Sequence, residues 1–261
     1  MTRLVQISDI HFGAEDPALV EPLINAINAL APDAVVLTGD VTQYGRRREF
    51  AAARSFLDAL AATTVGAPGN HDTPYFDMAA RLTHPWARFD RLLGGRVQAD
   101  ALAGQARVRM LPTARGAQVR LDWSLGRVRR RDALRAGQAL AHHDGLKVLA
   151  GHHPLVAPGG LKGRARTAGG ARAAQMVTEA GVDLYLSGHL HQVFAEPRQR
   201  PDGSTCWFVG AGTALSRRTR GEPASFNVIE ADAAPRLVVW SAGDEAEFTP
   251  DDPIALDGLG A

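Results

Sequence analysis

The sequence predicts an α/β protein in which two sheets pack together with helices outside. Three observations predict it. Apolar runs rich in β formers alternate with helical stripes through the N-terminal part of the chain. Further apolar runs, more closely spaced, fill the C-terminal part. Hydrophobic residues make up 45% of the 261 and charged residues 22%, the balance of a packed core.

"RLVQIS" at residues 3–8 reads as a strand. Asp16 and Pro17 then read as a helix N-cap followed by proline at the first helical position, where its missing N–H costs nothing. Leu19, Leu23, Ile24, Ile27 and Leu30 follow at helical spacing, and Pro32 marks the end. "DAVVLTGD" is a second buried strand. Phe50, Ala53, Leu57 and Leu60 give a second helix, and "TTVGAPGNHD" a third strand running into a loop. This order implies right-handed crossovers in a largely parallel sheet. Residues 73–144 are less regular, with a strand at "ARVRML" and a helix over 131–143. "GLKVLAGHHP" is the next strand and loop, and the glycine-rich basic stretch "LVAPGGLKGRARTAGG" after it reads as mobile. "ARAAQMVTEAG" is a helix and "VDLYLSGHLH" a strand. "CWFVGAGTAL", "SFNVIEA" and "RLVVWSAG" read as consecutive strands of a second, more antiparallel sheet. From Asp244 the chain turns acidic and is expected to fray. That puts the domain at 1–243 and an acidic tail at 244–261.

Net charge is +1, which gives no argument for nucleic-acid or membrane affinity. The arginine runs at 46–48 and 129–131 read as solvated helix faces. A single cysteine, Cys206, excludes an intrachain disulfide and a cysteine-rich zinc site. The start, "MTRLVQISDIH", lacks the apolar core of a signal peptide, and no apolar run reaches the roughly 18 residues of a membrane span. The expectation is a soluble, cytoplasmic protein with no membrane partner.

Of nine histidines, six fall in loops behind apolar strands: His11, His71, His152, His153, His189 and His191. An isolated pair such as "GHLH" is usually two solvated loop histidines. Here five loops, "SDIH", "TGD", "GNHD", "GHHP" and "GHLH", come to the strand ends that line the ligand crevice of an open α/β sheet. Asp9 and His11 are two apart, so on an extended chain they share a face. His189 and His191 repeat that spacing, and Gly188 allows close backbone approach. Asp40 follows Gly39 at a strand end, placed to bridge two cations, and Asn70 offers a neutral oxygen. This nitrogen and oxygen set, without sulfur, suits Mn²⁺, Fe²⁺/Fe³⁺ or Zn²⁺, and it is too large for one ion and about right for two. His84, His142 and His143 read as structural or solvated.

D-x-H, GD, GNHD, GH and GHxH, in this order from Asp9 to His191, resemble the calcineurin-like metallophosphoesterases. The nearest likeness is to small bacterial class III cyclic-nucleotide phosphodiesterases and glycerophosphodiesterases. The resemblance implies a four-layer α-β-β-α sandwich, two mixed sheets flanked by helices, with a two-metal site at one edge. It assigns Asp9, His11 and His191 to one metal and Asn70, His152 and His189 to the other, with Asp40 bridging. His71 would sit beside the leaving-group oxygen as the catalytic residue. His152 is preferred to His153 as ligand because it follows Gly151. His153 and Phe12 then become pocket-wall candidates. Arg217, Arg218 and Arg220 are candidates to hold a second anionic group, although a solvated basic turn is the plainer account.

The implied activity is hydrolysis of a small phosphodiester, a cyclic nucleotide or a glycerophosphodiester, by in-line attack of metal-activated hydroxide. A monoesterase, a nuclease and a non-catalytic scaffold of the same fold are the alternatives. Protein phosphatases of this superfamily carry an aspartate three residues after the bridging one. Gln43 stands there instead, which disfavours that activity and leaves the orienting partner of His71 open. Related lipid-precursor pyrophosphatases tend to carry arginine in place of the GNHD histidine, whereas His71 is present. Nucleic acid is disfavoured as a partner, since no basic aromatic platform is visible. Relatives form dimers, so a homodimer is an open expectation.

Overall fold

The computed structural model describes residues 1–119, 122–156, 158–159, 166–218 and 221–259. In chain order, β1 (Thr2–Ile7), α1 (Pro17–Leu30), β2 (Ala34–Leu37), α2 (Arg47–Ala59) and β3 (Thr64–Gly66) alternate as the sequence predicts. Then come α3 (Met78–Thr83), α4 (Ala87–Leu93), β4 (Val97–Gln98), β5 (Asp100–Ala103), β6 (Ala106–Met110), α5 (Arg130–Ala141), β7 (Leu146–Ala150) and α6 (Gly170–Glu179). The chain closes with β8 (Leu184–Ser187), β9 (Phe194–Gln199), β10 (Thr205–Gly210), β11 (Ser225–Ala231), β12 (Arg236–Ala242), β13 (Phe248–Pro250) and β14 (Ile254–Ala255).

Two mixed sheets result. One runs β13-β12-β11-β1-β2-β3-β4, with β14 also on β12; the other runs β5-β6-β7-β8-β10-β9. Strand alternation builds the four layers. In β1, Val5 and Ile7 face α1 and α2, packing with Leu23, Ile27, Phe50 and Leu57, while Leu4 points between the sheets toward Val148, Leu186 and Val209. In β8, Leu184 and Leu186 share that inner layer. Tyr185 faces the other way and packs with Leu140 of α5 and Val177 of α6. Gln6 is the polar member of the inner layer. It donates to the Ser187 carbonyl at 2.9 Å and accepts from Asn227 Nδ2 at 3.0 Å, tying the two sheets together below the loops.

Helix α1 starts as expected. The Asp16 carboxylate accepts from Ala18 N–H and Pro17 opens the helix, while Ala31 ends it in the left-handed region before Pro32. Among the described residues, no helix is long and apolar enough to cross a membrane.

Two expectations are corrected. "CWFVGAGTAL", "SFNVIEA" and "RLVVWSAG" do not form one second sheet. β10 lies parallel to β8 in one sheet, whereas β11 is antiparallel to β1 in the other and carries β12 with it. Nor does the chain fray from Asp244, since β13 and β14 pair with β12 and Leu256 is fully buried. In the basic stretch after "GHHP", residues 157 and 160–165 lie outside the described residues.

Candidate metal centre

β1, β2 and β3 are mutually parallel, as are β7 and β8, so their carboxyl ends meet along one edge of the sandwich. The loops leaving them are laced by main-chain bonds. Asp9 N–H donates to Gly39 O, His11 N–H to Asp40 O and Gly188 N–H to His152 O, at 2.9–3.1 Å. Gly188 lets the loop after β8 lie directly against the loop after β1, because a Cβ there would overlap Ser8 Oγ.

The backbone at this edge is strained. Among the described residues seven non-glycines have positive φ, and five are Asp9 (50°), His11 (53°), Asp40 (50°), His189 (71°) and His191 (56°). Such conformers cost about 1–3 kcal/mol each and persist where the surroundings enforce them, commonly at functional sites. The expectation that Asp9 and His11 share the face of an extended chain is therefore corrected. Each side chain reaches the site through a left-handed backbone.

Asp9, His11 and His191 form one buried group. Asp9 Oδ1 lies 3.2 Å from His191 Nε2 and 3.8 Å from His11 Nε2, and the two imidazole nitrogens are 3.3 Å apart. The other oxygen, Oδ2, accepts from Ser8 Oγ at 2.6 Å and from His189 N–H at 2.9 Å. Burial alone would raise the Asp9 pKa, but the neighbouring His191 outweighs it and holds the carboxyl ionised. Burial pushes His11 down to about 3, so it is a neutral base.

Asp40 stands between this group and the next. Its Oδ2 is 3.9 Å from His11 Nε2 and 3.2 Å from His152 Nε2, and Asn70 Oδ1 lies 3.1 Å from the same His152 nitrogen. Burial disfavours the Asp40 charge, yet His152 and His71 keep its pKa well below the usual range. Burial lowers His152 as well, and Asp40 reverses that, lifting it to about 9. The His189 ring packs against His152 with centroids 5.2 Å apart, and burial lowers its pKa to about 4.

The outward nitrogens of two histidines are fixed by carbonyls. His152 Nδ1 donates to Thr38 O at 2.8 Å and His191 Nδ1 to Arg218 O at 2.9 Å. A carbonyl only accepts, so each Nδ1 carries a proton and Nε2 is the nitrogen turned inward, free to offer a lone pair once a cation displaces any proton on it. Metal-binding histidines are commonly oriented this way.

His71 lies at the rim. Its main-chain N–H donates to Asp40 Oδ1 at 2.7 Å, and its Nδ1 donates to the Gln43 carbonyl at 2.8 Å. Nε2 faces outward, 3.4 Å from Arg218 Nη1, which also approaches Gln43 Oε1 at 3.3 Å. The orienting partner of His71 is thus the main chain of Gln43. Asp72 turns away, accepting from Thr42 N–H and Oγ1, Val41 N–H and Gly69 N–H.

The substrate-side expectations fare unevenly. Arg218 is at the site. Arg217 is not, since its guanidinium points to Asp16 at 3.5 Å. Arg220 lies outside the described residues. Phe12 is 3% exposed and packs on Phe56 in the core, so it is not pocket wall. His153 is 1% exposed with both ring nitrogens engaged, by Thr113 Oγ1 at 3.0 Å and Ser124 O at 2.7 Å, so it supports His189 from behind at 4.4 Å. His84 and His142 are exposed, and His143 bonds the Gln105 carbonyl. Sequence reasoning missed Tyr75, Met78 and Trp123, which line a cleft beside Asn70 and His71. The available signal for Tyr75 and Met78 was the run "PYFDM" one residue after GNHD.

The donor set fits cations. Two buried carboxylates, the imidazoles of His11, His152, His189 and His191 and the Asn70 amide oxygen converge on adjoining spaces. Asp9 Oδ1 and His11 Nδ1 are buried without a hydrogen-bond partner among the described residues. The Nε2 atoms of His11 and His191 lie 3.3 Å apart, and a divalent cation would accept a lone pair from each of them and from Asp9 Oδ1.

The calcineurin-like phosphoesterase family profile matches residues 2–193. A probable cyclic nucleotide phosphodiesterase of Synechococcus is 25% identical over 240 residues, covering 87% of this chain and 86% of that protein. A glycerophosphodiester phosphodiesterase of Enterobacter lignolyticus is 36% identical over 80 residues, only 26% of this chain and 29% of the relative. In fold, the chain is similar to a purple acid phosphatase from yellow lupin seeds, with a TM-score of 0.67 at 14% identity. That match covers 97% of this chain and 53% of the longer lupin protein. A dimetal phosphatase from Danio rerio superposes with a TM-score of 0.60 at 14% identity, covering 95% and 98% of the two chains. The chain belongs to the calcineurin-like phosphoesterase family.

Proposed function

We propose that this protein is a binuclear metal-dependent phosphodiesterase acting on a small phosphodiester. One observation carries the reading: two groups of inward-facing donors adjoin, and the Asp40 carboxylate stands between them, within 3.9 Å of His11 and 3.2 Å of His152. Asp9, His11 and His191 would hold one cation. Asn70, His152 and His189 would hold the second, and Asp40 would serve both. When bound, divalent cations neutralise charge on the phosphoryl group and activate the attacking water.

The chain's own residues supply the rest. The carbonyls of Thr38 and Arg218 keep the ligand lone pairs aimed inward. The Gln43 carbonyl holds the Nδ1 proton of His71, so that in the doubly protonated form its Nε2–H would meet the departing ester oxygen and deliver that proton to it. Arg218, beside Nε2, offers a positive charge to a phosphoryl oxygen. Among the described residues of the site, the nearest hydroxyl, that of Ser8, is tied to Asp9 Oδ2, and none is assigned as a nucleophile for a covalent intermediate. Diester preference is supported by the names of the two relatives and by the cleft beside His71, which gives a second ester arm somewhere to go.

The test is to strip the protein with chelator, restore Mn²⁺, and assay a chromogenic phosphodiester beside the matching monoester. The expected result is metal-dependent cleavage, faster on the diester, with about two ions bound per chain. Faster monoester cleavage overturns the diester reading, and a protein that binds no metal overturns the site.

A further inference from the structure

We propose that the cleft beside His71 is the subsite for one ester arm of the substrate, and that it selects an arm bearing a planar aromatic ring. The inference rests on the phosphodiesterase reading above and names the substrate class that reading leaves open. The cleft encloses about 510 Å³, within the range of about 300–1,000 Å³ usual for small-molecule sites. Asn70 and His71 belong to its lining, so it is continuous with the proposed metal centre.

Its far walls are apolar and held in place. Tyr75 is 55% exposed and Met78 47% exposed, a large apolar surface left in water beside a reactive site. Tyr75 is braced. Its N–H donates to the Tyr44 carbonyl at 3.2 Å, and its ring packs edge-on against Tyr44 at 5.5 Å and Phe76 at 5.1 Å. Trp123 is steadied by the Arg81 guanidinium, 5.2 Å from its ring centroid, and Arg81 is itself fixed by donating Nε to Gly116 O at 2.8 Å.

Three polar side chains of the same walls, Thr73, Ser124 and Arg81, already donate within the protein, Arg81 through Nε to Gly116 O. Thr73 Oγ1 donates to Asn70 O at 2.9 Å, and Ser124 Oγ donates to Asp122 Oδ1 at 2.6 Å. A polyol arm laid against the faces of Tyr75, Met78 and Trp123 would surrender water without gaining partners there, which is costly for each hydroxyl. A flat ring asks for no hydrogen bond and buries its faces against Tyr75, Met78 and Trp123. The cleft therefore favours an aromatic arm over a glycerol arm.

The experiment compares benzyl methyl phosphate with glyceryl methyl phosphate on the Mn²⁺ protein, following methyl phosphate, the product common to both. KM rather than kcat is read, because the two departing alkoxides differ in reactivity. The expected result is a KM about tenfold lower for the benzyl diester, the size of one ring-stacking contact. Trp123→Ala and Tyr75→Ala should each shrink that ratio severalfold, and Trp123→Phe should keep it. Tyr75 is exposed, so its variant guards against a folding artefact, and a thermal melt checks both. Equal KM values in the wild type, or a ratio that survives both alanine variants, overturn the inference. If neither diester is cleaved, the phosphodiesterase reading has failed. The subsite is then judged by calorimetric titration of the same protein with benzylphosphonate and glycerol phosphate. Tighter benzylphosphonate binding that Trp123→Ala abolishes supports the subsite, and equal binding of the two overturns it.

Discussion

His71 is oriented by the main chain of Gln43, whose carbonyl accepts the Nδ1 proton at 2.8 Å. A carbonyl survives every side-chain substitution at that position. Gln43→Ala should therefore lower kcat less than about tenfold, the loss coming from the Arg218 contact alone. His71→Ala removes the group itself and should cost about 10²- to 10⁴-fold, the usual worth of positioned acid–base catalysis. Metal content, read by elemental analysis, should stay intact in both. Full activity in His71→Ala would sink its assignment.

Asp40 reaches donors of both groups, so its loss should be felt by both ions. Mn²⁺ should raise the melting temperature of the wild type, because a ligand that binds only the folded state stabilises it by mass action. Asp40→Ala should abolish that rise together with activity. Chelator should lower the wild-type melting temperature and leave the variant unmoved. A variant that still gains stability from Mn²⁺ would show that Asp40 is not shared.

Gly188 lets the "GHLH" loop lie against the "SDIH" loop. A Cβ there would overlap Ser8 Oγ and come within 2.5 Å of Asp9 Oδ2. Gly188→Ala should destabilise by about 1–3 kcal/mol, as overpacking does, and weaken metal binding by displacing Asp9. Gly95, where an added Cβ meets nothing within 4 Å, is the control, and Gly95→Ala should melt like the wild type. Equal melting temperatures for the two variants would remove the steric argument.

The site's location was legible because each motif follows a buried apolar strand, and parallel strands deliver their carboxyl ends to one edge. Sheet membership was less legible. β10 is buried at every position, so no alternation marks its face, and β11 pairs with β1, more than 200 residues away in sequence. Local pattern carries no information about such partners. Phe12 and Trp123 show the same limit from two sides. Phe12 adjoins a site residue in sequence yet faces the core, and Trp123 reaches the cleft from an irregular stretch that no periodicity describes. The His71–Gln43 bond was invisible because a main-chain carbonyl leaves no mark in the residue type. The left-handed backbone at Asp9 and His11 was equally hidden, since neither residue type demands it.

Cys206 gives a probe of the packing behind the centre. It is fully buried on β10, in the cluster that packs Tyr185, Phe208, α5 and α6 together. Burial pushes its thiol up to about 11, so the nucleophilic thiolate is scarce at pH 8 and the sulfur is out of reach of a reagent. A disulfide reagent should label the native protein at least about a hundredfold more slowly than the denatured one, since reaction waits on opening of the structure. One thiol per chain should appear in denaturant. If metals stabilise the edge of the sandwich and the opening that exposes Cys206 is global, Mn²⁺ should slow labelling further, by the same factor as it lowers the unfolded fraction. Labelling at the denatured rate in the absence of denaturant would show that this layer is not packed as described.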